Sequence, residues 1–368
     1  MFHQQEVANE KDEKIDSAVS QYAGMMAILY PTWRMLKNYV LGRYFFKPAP
    51  LWLDFRVTRR CNHHCAYCSI PNRAANEMTT AEVTTVIDKT KHVANWVLLT
   101  GGECLLRTDI GEIVDHIKTT TDMKVTVNTN MLLLQETFEK IQHADFLFFS
   151  IDGREETHDA YRCNGSYAKV IAGLEFLRHS RLRRRGLLSL TVLHKGTQKS
   201  DLEHVLQLSD RYSFGANFQL IRHYSASGRS REIDSHNAHG LRLLDYLLEQ
   251  KSRGRFITNT TRNLEILKDI ARGINTIPCH SGRLFCFITS EGKVALCFSR
   301  PDHDRYLNLR DPGVMFEMAL QRLAEIRPDR QRCPGCTCTT PIELATFSIF
   351  DFQMIRETIG KRGRCMTL

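Results

Sequence analysis

The sequence lacks any run of about 18 uncharged apolar residues, the length a membrane-spanning helix needs, so no spanning segment is expected. Its start, Met1 to Asp16, is polar and rich in acids, without the basic-then-apolar order of a secretory leader. No stretch repeats another at a fixed period, which argues against a solenoid or a propeller. Acids are in deficit: 50 Lys and Arg against 41 Asp and Glu leave a net charge of +9. Over 368 residues that excess is dilute, and a solvated basic surface accounts for it. The densest basic stretch, RHSRLRRR at 178–185, has no interleaved aromatics on which bases could stack, so no nucleic-acid partner is expected. Cysteine is not in deficit. Twelve thiols in a long chain without a leader point to a cytoplasmic protein and to metal or iron–sulfur ligation, not to a disulfide framework.

Residues 17–47 read as helical and largely apolar, with Pro31 breaking or restarting the helix. The second piece carries Trp33, Leu36, Tyr39, Val40 and Tyr44 on one broad face. It is either a helix docked on the main domain, the preferred reading, or an interfacial helix giving peripheral membrane contact through residues 31–47. From residue 51 the pattern changes to alternation. Leu51, Leu53, Phe55 and Val57 interleave with Trp52, Asp54, Arg56 and Thr58, a strand signal. Strands then follow at Val97–Leu99, Lys124–Val127, Phe146–Phe149, Leu187–Leu193 and Asn217–Ile221. Between them, Thr79 with Glu82, Asp109, Ser166, and Ser200 with Glu203 read as helix caps. Six strand–helix units imply a parallel sheet curled into a partial or full barrel, with functional loops at the strands' C-terminal ends. Cysteines become dense after residue 274, which marks a second domain. The expected division is a helical segment at 1–47, a core at 48–274 and a cysteine-rich domain at 275–368.

The strongest chemical signal is RRCNHHCAYCSIP at 59–71, directly after the first strand. Cys61, Cys65 and Cys68 have Cys-x3-Cys-x2-Cys spacing, with Tyr67 before the third thiol. Three thiolates can each hold one iron of a cubane cluster and leave the fourth iron open. A structural zinc site, with His63 or His64 as fourth ligand, has the same spacing. After the second strand comes TGGEC, where Gly101 and Gly102 permit close backbone approach and Glu103 can accept from an ammonium group. Asn128, Thr129 and Asn130 follow the third strand. Ser150, Ile151, Asp152 and Gly153 follow the fourth, and HDAYRCNGSY occupies 158–167.

This combination resembles the radical S-adenosylmethionine (SAM) superfamily over residues 51–222. The resemblance implies an α/β fold, a partial (β/α)6 barrel, in which Cys61, Cys65 and Cys68 ligate a 4Fe–4S cluster. In that family the open iron chelates SAM, and reductive cleavage yields a 5′-deoxyadenosyl radical. It implies Glu103 as the clamp on the SAM amino group. It also implies Tyr67, Gly101, Gly102, Asn128, Ser150, Asp152 and Arg162 as SAM contacts, Arg162 at the SAM carboxylate. A reductant such as flavodoxin or ferredoxin would be a partner. Residues 158–167 are similar to the segment found in members with a C-terminal SPASM or Twitch extension, although Cys163 stands where that segment usually has glycine.

The C-terminal cysteines fit such an extension in outline. Cys286 to Cys297, CFITSEGKVALC, reads as a hairpin whose turn can hold Gly292 at positive φ. The resemblance implies one auxiliary cluster, with Cys279, Cys297, Cys333 and Cys336 as ligands and Cys286 or Cys338 as substitutes. A zinc ribbon is the other reading of these residues. The expected substrate is a small molecule, sugar or lipid precursor, because residues 1–47 are too short for a peptide-recognition domain. A peptide maturase is the alternative, and a zinc-stabilised nucleic-acid-binding protein is the rival from another class.

Overall fold

The computed structural model describes residues 33–346, apart from 69, 71–75, 181, 183–185, 222, 225–229, 232–237, 276, 298–304, 327–335 and 337. Pro31, Cys333, Cys365 and half of RHSRLRRR therefore lie outside the described residues. The core is one eight-stranded sheet in the order β10-β9-β1-β2-β3-β4-β5-β6. Its strands are β1 (Trp52–Thr58), β2 (Trp96–Gly101), β3 (Lys124–Thr129), β4 (Phe146–Ser150), β5 (Leu187–Leu193) and β6 (Gly215–Leu220). A two-residue ribbon, β7 (His223–Tyr224) with β8 (Ser230–Arg231), follows, and then β9 (Phe285–Ile288) and β10 (Val294–Ala295). β1 to β6 run parallel in chain order, and the sheet has its two edges at β10 and β6, so the barrel is partial.

Helices α2 (Thr80–Thr90), α3 (Ile110–Thr120), α4 (Leu134–Ile141), α5 (Glu155–Tyr161) and α6 (Ser166–Leu177) connect the strands. α2 opens on the expected capping box: Thr79 accepts from the Glu82 N–H, and Glu82 accepts from the Thr79 N–H at 2.8 Å. α3 buries Ile110, Ile113, Val114 and Ile117, an i, i+3, i+4, i+7 stripe that packs on the sheet. Three caps differ from expectation. Asp109 precedes α3 but makes no capping bond, because Arg107 and Thr80 take its carboxylate. α6 is capped by Asp159, which accepts from the Gly165 and Tyr167 N–H groups, so Ser166 is its first helical residue. The helix Lys199–Tyr212 begins one turn before Glu203, and Asp201 closes its N-terminus by accepting from Gln198. In both cases a carboxylate, with stronger acceptors than a hydroxyl, takes the helix end.

The alternating strand is buried on both faces. Leu53, Phe55 and Val57 join the helix-side core, whereas Trp52, Asp54 and Arg56 form the other face, which is buried as well. Polar groups on that face find partners there: Trp52 Nε1 donates to Asp54 at 2.9 Å, and Arg56 lies 4.8 Å over the Phe287 ring. Burial pushes the Asp54 carboxyl up to about 6.

Two outlying segments close the fold. Residues 33–43 form helix α1, docked through Tyr39, Gly42 and Asn38. The Asn38 amide donates to Val93 O at 2.7 Å and Asn95 Oδ1 at 2.9 Å. Tyr39 packs with Leu51, Trp52, Trp96, Phe146 and Phe285, residues at the N-terminal ends of their strands, so α1 covers that end of the barrel. The Cys286–Cys297 hairpin forms as expected, with Gly292 at φ +89. Its position is unexpected: β9 pairs in parallel with β1, so the hairpin extends the main sheet. No described helix is long and apolar enough to cross a membrane.

Lys89 fastens the C-terminal part to α2. Its half-buried ammonium donates to the carbonyls of Leu309, Asp311 and Val314 at 2.8, 2.9 and 2.9 Å. Lys89→Met should lower stability by about 1–3 kcal/mol, read as a reduced urea midpoint at unchanged slope. An unaltered midpoint would show that these bonds merely replace solvation.

Candidate active site

Four loops leave the C-terminal ends of β1 to β4 and are bonded to one another. Gly102 N donates to Thr58 O at 3.0 Å and Glu103 N to Arg60 O at 2.8 Å, which zips the Gly-Gly-Glu loop to the cysteine loop. A Cβ on Gly102 would lie 2.3 Å from Arg60 O and 2.8 Å from Arg59 O, so only glycine permits this approach. The buried Glu103 carboxylate accepts from Asn130 N at 2.7 Å and Leu105 N at 3.1 Å, tying the β2 and β3 loops together. Burial pushes its carboxyl up to about 7 against those bonds. Asn130 Nδ2 reaches back to Asn62 Oδ1 at 2.7 Å. Asn128 donates to Thr100 Oγ1 at 3.3 Å, and its Oδ1 is buried without a partner.

The β4 loop carries the densest network. Asp152 is wholly buried. Its carboxylate accepts from Tyr67 OH at 2.6 Å, Arg162 Nε at 2.6 Å, Arg162 Nη2 at 3.1 Å and Val192 N at 3.0 Å. Burial opposes its ionisation, but the Arg162 guanidinium outweighs burial and holds the carboxyl below its usual range. Burial likewise opposes the Arg162 charge, and Asp152 more than restores it. The sequence reading assigned Asp152 and Arg162 separately to SAM; the structure pairs them with each other. Gly153 adopts φ +149, and a Cβ there would lie 2.5 Å from the Asp201 Cβ, so glycine is what lets the chain pass. Asp201 in turn accepts from Arg154 N and Nε, both at 3.1 Å. Ser150 closes β4 half-buried.

Sequence reasoning missed a layer of aromatic and imidazole rings behind this network. Tyr161 stacks on His194 with centroids 3.6 Å apart, and Tyr67 lies 6.1 Å from His194 on a nearly parallel plane. His194 Nδ1 accepts from Gly196 N, and His158 Nδ1 accepts from Asp152 N at 3.1 Å. Each ring's proton is therefore on Nε2, and both Nε2 atoms are buried without a partner. Burial pulls His158 and His63 down to about 4, so both rings are neutral near pH 7. His158 lay within the HDAYRC segment; Tyr161 and His194 are far apart in sequence and carry no local signal of their pairing.

Cys61 and Cys65 are half-buried and Cys68 is exposed. Burial raises the Cys61 thiol, and it pushes Cys65 up to about 11, while Arg162 acts to lower both. Cys68 acts in the same upward direction on both thiols. Among the described residues, no three His, Cys, Asp or Glu side chains gather tightly enough to hold a single metal ion. Three thiols on one loop could each take an iron of a cluster, and His63 Nδ1, 3.9 Å from Cys65 Sγ, is the group a four-coordinate zinc would add.

Of the C-terminal thiols, Cys279, Cys297, Cys336 and Cys338 are half-buried. Cys286 lies inside β9, opposite Leu53, wholly buried in the core, and burial raises its thiol strongly.

A family model described as the radical SAM superfamily matches residues 55–209. The chain is 30% identical to the AdoMet-dependent heme synthase of Methanosarcina barkeri over 276 residues, 68% of this chain and 77% of that protein. It is 26% identical to the mycofactocin maturase MftC of Mycolicibacterium smegmatis over 298 residues, 77% of this chain and 71% of the relative. Among solved structures, Streptococcus suis SuiB bound to S-adenosylmethionine superimposes with a TM-score of 0.60 at 13% identity, covering 73% of this chain and 65% of SuiB. anSMEcpe with bound AdoMet gives a TM-score of 0.55 at 18% identity, covering 75% of this chain and 83% of the other. A barrel of this order with a three-cysteine loop after β1 defines a cluster-dependent enzyme built on a parallel sheet. The chain belongs to the radical SAM superfamily, whose cofactors are a 4Fe–4S cluster and SAM.

The Asp152 network makes a ranked prediction. Asp152→Ala leaves Arg162 buried without its counter-charge and should cost about 3–5 kcal/mol. Tyr67→Phe removes one hydrogen bond and should cost only about 1 kcal/mol. Denaturant titration of both variants checks the order, and equal losses would contradict it.

Proposed function

We propose that Cys61, Cys65 and Cys68 hold the 4Fe–4S cluster, and that Glu103 takes the amino group of SAM. The observation that carries this is the direct bonding of the Gly-Gly-Glu loop to the cysteine loop, which sets an ammonium acceptor beside the loop that bears the three thiols. With both cofactors bound, the site supplies one-electron cleavage of SAM and radical chemistry on a substrate. The chain's own part is positional. Asp152 orients Tyr67 in the cluster loop and holds the Arg162 cation near Cys61 and Cys65, where positive charge favours thiolates over thiols. Gly101 and Gly102 keep the two loops in contact. Glu103 retains acceptor capacity beyond its bonds from Asn130 N, Leu105 N and the Thr129 side chain, since a carboxylate offers about four lone-pair sites. Asn128 Oδ1 and Ser150 are further polar contacts for the ligand.

The substrate reading is a small molecule, sugar or lipid precursor, with a soluble one-electron donor of flavodoxin or ferredoxin type. The heme synthase relative supports a non-peptide substrate. The maturase relative and SuiB, also solved bound to its precursor peptide SuiA, support the peptide alternative. The proposed functional division keeps 48–274 as the core and 275–368 as the auxiliary unit, whose β9–β10 hairpin is built into the core sheet. Cys279, Cys297, Cys333 and Cys336 are the proposed ligands of one auxiliary cluster. Cys338 is the better substitute, because Cys286 is committed to the core of β9.

Cys61→Ala, Cys65→Ala and Cys68→Ala should each abolish 5′-deoxyadenosine formation from SAM under dithionite. Wild-type turnover in any one of them would overturn the ligand assignment. Glu103→Ala should keep its iron yet bind SAM about tenfold or more weakly, the worth of one charge-assisted hydrogen bond; equilibrium dialysis measures it. In the triple Cys→Ala variant, about four irons and four sulfides should remain after reconstitution. One zinc and no iron would establish a ribbon in place of the auxiliary cluster.

A further inference from the structure

Among the described residues, helix α1 and the turn after it leave large apolar side chains exposed at the end of the barrel opposite the cysteine loop. Docking uses Asn38, Tyr39 and Gly42, and leaves Trp33 63% and Leu36 43% exposed. The turn that follows exposes Phe45 at 65% and Phe46 at 58%. Phe46 adopts φ +56, a left-handed conformation that non-glycine residues rarely adopt, within a turn closed by a Lys47 N–H bond to Leu41 O. Arg283 lies 4.5 Å over the Phe46 ring. Residues 33–47 contain Arg34, Lys37, Arg43 and Lys47 and not one Asp or Glu. Arg34 is partly engaged, by Lys91 O at 3.3 Å and Asp122 at 3.8 Å, whereas Lys37 and Lys47 are exposed beside the aromatic side chains.

We propose that this face rests on an anionic membrane surface, with Trp33, Leu36, Phe45 and Phe46 entering the interfacial layer and Lys37 and Lys47 meeting lipid phosphates. Bulky aromatics rimmed by cations are the composition of interfacial anchors. The same chemistry disfavours a second copy as occupant: a twofold contact through this patch would set four basic residues against the same four. The placement also fits catalysis. β1 runs from this end to the cysteine loop, roughly 20 Å over seven residues, so a protein lying on the bilayer keeps its loop end toward water. The sequence reading set docking and interfacial binding as alternatives for this helix; the structure shows it docked, and the proposal adds a membrane contact through side chains that docking leaves exposed.

The test uses the full-length chain and vesicles of phosphatidylcholine with or without equal phosphatidylglycerol. The chain should co-sediment with the anionic vesicles, and the Phe45→Ser/Phe46→Ser variant should bind at least about tenfold more weakly. Trp33 emission should shift to the blue and become quenchable by brominated lipid, whereas Trp52 and Trp96 are buried already. Far-UV circular dichroism and the denaturant midpoint of the variant report whether it folds. Lys37→Gln/Lys47→Gln, which leaves the apolar face intact, should weaken binding and reduce its salt dependence. No binding to anionic vesicles overturns the proposal, as does binding that leaves Trp33 unquenched. Concentration-dependent dimerisation abolished by the Phe45/Phe46 variant would assign the face to a second copy instead.

Discussion

A carboxylate sealed from water must be met by the protein itself, and Asp152 is the place where this chain accepts that constraint. Its partners come from three separate places: Tyr67 in the cysteine loop, Arg162 after α5, and the backbone of Val192 in β5. Losing any one would strand charge or a donor in a low-dielectric interior, so the three elements are held in one arrangement. The cysteine loop has few apolar anchors of its own. It takes its shape from this network and from the backbone bonds of Gly102 and Glu103. Glu103 repeats the device between β2 and β3 with backbone donors in place of a cation.

The alternation of β1 and the order of strands and helices were legible because hydrophobic period is a local property. So were Thr79 with Glu82 and the hairpin around Gly292, each set by residues a few positions apart. The site was legible as a set of loops, because motif residues cluster just after strands. What was hidden depends on long-range partners. The pairing of Asp152 with Arg162, the stack of Tyr161 on His194, and the capture of Asp109 by Arg107 and Thr80 follow from where strands converge. The alternation in β1 marked a strand without saying what Trp52, Asp54 and Arg56 face. A barrel interior can bury such residues when they satisfy one another, and single-strand periodicity cannot distinguish that from a solvent-facing side.

The two ends of the sheet have different chemistries. At the N-terminal end, Trp52, Trp96 and Phe146 stack in a row, with centroids 5.0 and 4.7 Å apart, beneath Tyr39. At the C-terminal end lie thiols, carboxylates and neutral imidazoles. Rigid aromatic packing at one end gives the strands a fixed origin, so small loop residues at the other can be placed by backbone hydrogen bonds alone.

The pairing of β9 with β1 has a consequence for how this chain could be shortened. With the hairpin in place, β1 is an interior strand, bonded to β2 on one side and β9 on the other. Ending the chain before residue 285 would turn β1 into an edge, with a row of unmet N–H and C=O groups on the very strand that leads to the cysteine loop. Such an edge is a template for pairing with another chain. A minimal barrel cut from this protein would therefore face self-association at its catalytic strand, and a replacement cap on that edge would be a condition of solubility.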